Sequence, residues 1–93
     1  MRRLSEVAKA LAHPTRLMIL NELLEDKPKC VSKIEEILGK KQANVSQHLS
    51  ILKNANFIDF EEKGKLRCYF IKNKKAVESI LKGLKEVSDG GNH

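Results

Sequence analysis

The chain has 93 residues, and its 18 lysines and arginines outnumber its 12 aspartates and glutamates, which gives a formal net charge of +6. This length supports one domain, expected to span residues 1–93, and no apolar run is long enough for a membrane span. The first residues lack the apolar segment of a secretory signal, and two cysteines cannot form the disulfide framework of a small secreted protein. We therefore expect a cytoplasmic protein, and the basic charge favours an anionic partner.

Three helices are predicted in the first 39 residues. The first, over about residues 3–12, has apolar residues at helical spacing: Leu4, Val7, Ala8 and Leu11. Pro14 suits the first turn of a second helix, which His13 is expected to cap. A third helix should follow the polar break at residues 25–29, and Gly39 is placed to end it.

A fourth helix, predicted over about residues 42–54, has the side chains of a DNA-contacting helix. Its apolar residues form one narrow stripe, and polar side chains occupy the rest of its circumference: Gln42, Asn44, Ser46, Gln47, Ser50 and Lys53. Amide, hydroxyl and basic groups are suited to contacting base edges and phosphates. A solvated surface helix would show the same pattern, so this segment alone leaves both interpretations open.

The hydrophobic period then changes, and a β-hairpin is predicted over about residues 57–71. Gly64 should take a positive φ at its turn, with basic side chains near the tip. Asn73 is the expected N-cap of a final amphipathic helix, and residues 88–93 are expected to form a flexible tail. A mainly helical chain with two helices joined by a tight turn, followed by a small basic hairpin, is typical of a winged helix-turn-helix.

Three segments together resemble the ArsR/SmtB family of transcriptional repressors. Residues 10–20, which include His-Pro-Thr-Arg, are similar to the N-terminal signature of that family. Residues 42–53 resemble its recognition helix, and Glu62-Lys63-Gly64-Lys65 followed by Cys68-Tyr69-Phe70 is similar to its wing. The segments occur in the expected order, and the resemblance covers about residues 5–87.

The resemblance implies a homodimer in which the first and last helices pair across a two-fold axis and the two recognition helices enter successive major grooves of an inverted-repeat operator. The residues expected at the dimer interface are Leu4, Val7, Leu11, Ile80, Leu81 and Leu84. The residues expected to bind DNA are Lys40, Lys41, Gln42, Asn44, Ser46, Gln47, His48, Ser50, Lys53, Lys63, Lys65 and Arg67. Ser46 is the expected phosphate contact, whereas Gln42 and Gln47 can read base edges.

Some residues of these motifs have two interpretations. His48 is either a DNA contact or a hydrogen-bonded structural histidine, and Arg16 either belongs to the family signature alone or holds a structural ion pair. Lys41 replaces the Ser or Thr cap that is usual before the recognition helix, which removes a capping hydrogen bond. Glu61 and Glu62 make the wing less basic than is typical of the family.

No complete metal site of the family is predicted. Many metal-sensing members carry Cys-Val-Cys where this chain has Cys30-Val31-Ser32, and the last helix offers Glu78 and Glu86 without a histidine. Cys30 lies at the predicted N-terminus of the third helix beside lysines, which favours its thiolate. One hypothesis is a thiol-based response at Cys30, through oxidation or a thiophilic metal or metalloid. Cys68 is a second candidate, although nothing in the sequence places it within reach of Cys30, and the alternative is that both cysteines only fill space.

The expected function is that of a homodimeric, sequence-specific DNA-binding repressor that an effector releases from its operator. The sequence contains no catalytic motif, so no enzymatic activity and no other cofactor are expected. Two alternatives remain: a winged-helix module that binds another protein, and a non-specific architectural DNA-binding protein.

Overall fold

The computed structural model describes residues 1–25 and 27–90, and it confirms a mainly helical winged helix-turn-helix. Within these residues the elements, in chain order, are α1 (Arg2–Leu11), α2 (Pro14–Leu23), β1 (Lys29–Cys30), α3 (Val31–Leu38), α4 (Gln42–Asn54), β2 (Ile58–Lys63), β3 (Leu66–Ile71) and α5 (Lys74–Gly90). None of the described helices combines the length and apolar character needed to cross a membrane.

Local side-chain chemistry sets the helix ends as predicted. His13 is the N-cap of α2, and its Nδ1 accepts a hydrogen bond from the Thr15 amide at 3.0 Å. Gly39 ends α3 in the left-handed conformation, with φ 63°. Asn73 Oδ1 accepts a hydrogen bond from the Ala76 amide at 3.0 Å in the first turn of α5. Lys41 precedes α4 without a capping side-chain hydrogen bond, as its residue type predicts.

The wing is part of a three-stranded antiparallel sheet with the order β1-β3-β2. β2 and β3 form the predicted hairpin, and Gly64 takes φ 63° at the turn between them. β1 was not predicted, because two residues next to Pro28 are too few to show a strand period. The added strand joins the segment before α3 to the wing, with Cys30 opposite Cys68.

One hydrophobic core holds the helix-turn-helix against the wing. Its buried residues are Ala10, Ile19, Leu20, Leu23, Ile34, Val45, Leu49, Leu52, Phe57, Ile58, Tyr69 and Val77. The second helix is central, because apolar residues occupy much of its circumference, and it contacts α1, α3, α4 and β3. Because the core draws on every helix and on the wing strands β2 and β3, the fold presents α4 and the wing in a fixed relative position.

The terminal helices keep part of their apolar faces exposed. Val7, Leu11, Ile80 and Leu81 are partly buried and pack against the core. In contrast, 62% of Leu4 and 46% of Leu84 are exposed. The predicted interface set therefore contains some residues that the single chain already covers and others that it leaves to solvent.

The expected tail is shorter than predicted. Residues 88–90 belong to α5, which ends at Gly90, because the helical hydrogen bonding continues past the last apolar residue of the helix. The rest of the predicted tail, residues 91–93, lies outside the described residues.

Candidate nucleic-acid interface

The fourth helix buries the predicted apolar stripe and exposes most of its polar side chains. Val45, Leu49 and Leu52 are fully buried against the rest of the protein. Of the DNA-binding candidates in and before α4, Lys53 is half-buried, and the following are exposed: Lys40, Lys41, Gln42, Asn44, Ser46, Gln47 and Ser50. The exposed face is therefore rich in the hydrogen-bonding groups that DNA contact requires.

An open groove of about 530 Å³ lies between α3, α4 and the wing. Gln42, Ser46 and Ser50 line it from successive turns of α4, since residues four apart lie on one helix face. Lys65 and Arg67 line it from the wing. The groove thus brings together, in space, candidates that are about 20 residues apart in the chain. The exposed Asn44 and Gln47 do not line it and lie on the neighbouring face of α4.

An aromatic side chain that the sequence analysis did not single out organises the base of the wing. Phe60 packs against Tyr69 with 5.4 Å between ring centroids. The Arg67 guanidinium lies 4.6 Å above the Phe60 ring centroid, and the Lys53 ammonium lies 5.6 Å from it. Such cation–π contacts are worth about 0.5–1 kcal/mol at exposed sites. Phe60 therefore orients two of the basic candidates, one from the wing and one from α4.

His48 is a buried member of the recognition helix. Its side chain is 7% exposed, its Nδ1 lies 3.2 Å from Arg16 Nη1, and its ring centroid lies 4.4 Å from that of His13. Burial, and then the electrostatic effect of His13, Arg16 and Lys40, lowers the pKa of His48 below its ordinary value. This burial and these contacts are those of the structural alternative for His48.

Arg16 holds no ion pair among the described residues, so that expectation is replaced by a different set of contacts. Its Nε donates to the Ala10 carbonyl at 2.7 Å, and its Nη2 donates to the Lys9 carbonyl at 3.3 Å. Its Nη1 faces His48. The guanidinium therefore connects the end of α1, the start of α2 and the recognition helix.

The two cysteines form a disulfide. The sequence alone did not place Cys68 within reach of Cys30, because β1, whose pairing with β3 sets Cys30 opposite Cys68, was not predicted. Cys30 does precede the first residue of α3, as predicted, but neither cysteine is a free thiol in this structure. Among the described residues, no three histidines, cysteines or carboxylates are grouped closely enough to hold a metal ion.

Comparison with known proteins agrees with this architecture. The family model for "Bacterial regulatory protein, arsR family" matches residues 13–59, from the cap of α2 to the first wing strand. The chain is 40% identical over 83 residues to an uncharacterized HTH-type transcriptional regulator of Methanocaldococcus jannaschii, covering 89% of this chain and 92% of that protein. It is 37% identical over 83 residues to the transcriptional repressor PagR of Bacillus anthracis, covering 89% of this chain and 82% of PagR.

A solved structure shows the same fold. It is a homodimeric winged helix-turn-helix DNA-binding domain from Mycobacterium bovis, described as a possible ArsR-family transcriptional regulator. Its TM-score is 0.83 at 23% identity, and the match covers 99% of this chain and 87% of that one. The groove between recognition helix and wing, the family match and the identity to regulators of similar length agree with one another. This chain belongs to the arsR family of bacterial regulatory proteins, and the relatives it matches are transcriptional regulators.

Proposed function

We propose that the chain is a homodimeric repressor that binds a specific sequence of duplex DNA in the cytoplasm. An effector releases the repressor from this DNA. The observation that carries this proposal is the groove in which Gln42, Ser46 and Ser50 face Lys65 and Arg67. Basic wing groups can hold phosphates while amide and hydroxyl groups of the helix reach base edges. The net charge of +6 favours the approach to DNA.

The exposed apolar residues of the terminal helices support a dimer. Leu4, Leu84 and Val87 are 62%, 46% and 78% exposed, which leaves an apolar surface for a second copy to cover. PagR is a repressor and the Mycobacterium bovis domain is a homodimer, in agreement with the proposal. Two-fold symmetry then predicts an operator with inverted half-sites about one helical turn, roughly 10 bp, apart.

The test is selection of duplexes from a random library by the purified protein, followed by affinity measurements over a range of salt concentrations. Gln47→Ala should weaken sequence preference, at a cost on the order of 1–3 kcal/mol at its base pair. Lys65→Ala should weaken all duplexes alike and reduce the salt slope by about 0.9, since one phosphate contact is lost. Lys82→Ala removes an equal charge from an exposed position of α5 and should leave the slope unchanged.

Each alternative function gives a different result in the same experiment. A non-specific architectural protein would keep the salt slope but select no common sequence. A protein-interaction module would show neither a salt-dependent affinity for DNA nor a selected sequence. Monomeric binding, or binding that is indifferent to both Gln47→Ala and Lys65→Ala, would contradict the proposed function.

For the effector, we propose a response of Cys30 and Cys68 to oxidants and to thiophilic metalloids. The pair connects the N-terminus of α3 to β3, so its state changes the link between the helix-turn-helix and the wing. On oxidation the two thiols lose two electrons and two protons and form the disulfide, and hydrogen peroxide takes them up to give two molecules of water. In the reduced state, two adjacent thiolates suit a soft metalloid such as trivalent arsenic.

The effector proposal is tested by DNA release from the reduced protein after addition of hydrogen peroxide, arsenite or zinc. Wild-type protein should release DNA with the first two reagents, whereas Cys30→Ser and Cys68→Ala should retain it. Equal release from the wild type and both variants would contradict a thiol response. Release by zinc alone would contradict the conclusion that the metal ligands of the family are incomplete in this chain.

A further inference from the structure

We propose that Arg16 is a positioning residue for operator recognition: through His48 it fixes the recognition helix against the end of α1, and this link exists only while His48 is neutral. The proposal rests on the proposed DNA-binding function and adds to it a residue that contacts no DNA. It also predicts that sequence recognition weakens in acid. Three features of the structure support it: the anchor of Arg16, its bond to His48, and the surroundings of the His48 ring.

The anchor is the C-terminus of α1. The last carbonyls of a helix have no partner within the helix, and two of them, from Lys9 and Ala10, accept hydrogen bonds from Arg16. The shorter of these bonds is 2.7 Å, from Nε to the Ala10 carbonyl. Each of the three guanidinium nitrogens makes one contact, two of them to these carbonyls and the third to His48. The planar group therefore has little freedom to rotate.

The second feature is the bond to the recognition helix. Arg16 Nη1 lies 3.2 Å from His48 Nδ1, and an arginine can only donate, so Nδ1 must be the acceptor and the ring proton must reside on Nε2. A protonated imidazole has no acceptor nitrogen, so protonation breaks this bond. His48 is the residue after Gln47, and a bond on the buried side of α4 fixes the rotation at which Gln47 faces solvent.

The third feature is the environment of the His48 ring. The charged or titratable groups that face His48 are His13 and Arg16 from the start of α2 and Lys40 from the turn before α4. Burial, followed by these groups, lowers the pKa of His48 below 6.5, so the ring is neutral at neutral pH and the link is complete. In acid, a protonated ring would stand among positive groups as well as losing its hydrogen bond.

The measured quantity is a specificity ratio, the affinity for a duplex selected by the wild-type protein divided by the affinity for an unrelated duplex of equal length. It is measured from about pH 8 to about pH 5, a range in which histidine changes its charge. For the wild type, the ratio should fall about tenfold with a midpoint below pH 6.5, the size expected for one hydrogen bond to a charged group. Acid does not by itself lower the affinity for the unrelated duplex, because added positive charge favours DNA.

Three variants separate positioning from a general structural effect. His48→Asn keeps an acceptor oxygen near the position of Nδ1 but does not titrate, so its ratio should match the neutral wild type and stay constant with pH. Arg16→Lys cannot serve all three acceptors, so its ratio should be about tenfold lower throughout the pH range. His13→Asn keeps an acceptor for the Thr15 amide and removes the other histidine of the cluster, so the pH profile of the wild type should persist.

Circular dichroism at each pH verifies that every variant is folded when its affinities are compared. A constant wild-type ratio, an unchanged pH profile in His48→Asn, or a wild-type ratio in folded Arg16→Lys would overturn the inference. If His13→Asn abolishes the pH dependence of the ratio and His48→Asn does not, the proposed link through His48 is also refuted. Failure to select any duplex would instead refute the proposed function and the inference together. Failure of the inference alone would leave a selected duplex whose recognition does not depend on Arg16 and His48.

Discussion

Replacement of Leu84 by aspartate should dissociate the proposed dimer. Leu84 is on the apolar stripe of α5 and is 46% exposed in the single chain, so about half of its side chain remains for a partner to cover. Burial of a whole leucine side chain is worth about 1.5–3 kcal/mol, which leaves roughly 0.7–1.5 kcal/mol for this half. Two-fold symmetry applies the change twice, so the dimer loses roughly 1.4–3 kcal/mol before the cost of desolvating the carboxylates is added.

This loss corresponds to a rise of about tenfold to a hundredfold or more in the dimer dissociation constant. Sedimentation velocity over a series of protein concentrations measures it. Ser79→Asp places the same charge on the opposite, exposed side of α5 and should leave the dimer intact. In Leu84→Asp the operator affinity should decrease together with the dimer affinity, because two half-sites are no longer bound by one rigid unit. An unchanged dissociation constant for Leu84→Asp, or an equal rise for Ser79→Asp, would refute the reasoning.

Three further predictions concern stability and can be measured by urea unfolding. Burial, and then His13, Arg16 and Lys40, lower the pKa of His48 below 6.5, so the unfolded chain binds this proton at a higher pH than the folded chain does. The free energy of unfolding should therefore decrease as the pH falls below 6.5, and the decrease should be smaller in His48→Asn. Gly39→Ala should cost about 1–2 kcal/mol because φ is 63° at this residue, and Gly39→Asn should cost less. Leu52→Ala, at a fully buried site, should cost about 2–5 kcal/mol, whereas Leu66→Ala, at a site 54% exposed, should have little effect.

Much of the secondary structure could be predicted because its signals act over a few residues. The imidazole of His13 caps a helix by accepting a hydrogen bond from an amide two residues away. Asn73 caps another helix by accepting one from an amide three residues away. Gly39 and Gly64 end a helix and turn a hairpin by taking a conformation that other residues rarely adopt. The stripe of α4 likewise follows from the helical period alone, so the boundaries 42–54 were predicted correctly.

The candidate site could be predicted only in part. The polar residues of α4 and the basic wing tip are visible as sequence patterns, and the family resemblance placed them on one surface. The direction of each side chain could not be predicted from the polar pattern. His48 follows Gln47 in the same polar run, yet Gln47 is exposed and His48 is buried. The burial of one helix face depends on which elements pack against it, and a polar residue at its edge can lie on either side.

Composition, hydrophobic period and local hydrogen bonds act within a few residues, so the class of fold, the helix ends, the recognition helix, the hairpin and the basic surface could be predicted without coordinates. Contacts between side chains that are distant in the chain could not be predicted in this way. Arg16 reaches His48 across 32 residues, Cys30 pairs with Cys68 across 38, and the Phe60 ring lies between Lys53 and Arg67. These contacts depend on strand register and on the packing of helices around one core, which are properties of the whole chain and leave no periodic signal in a short segment.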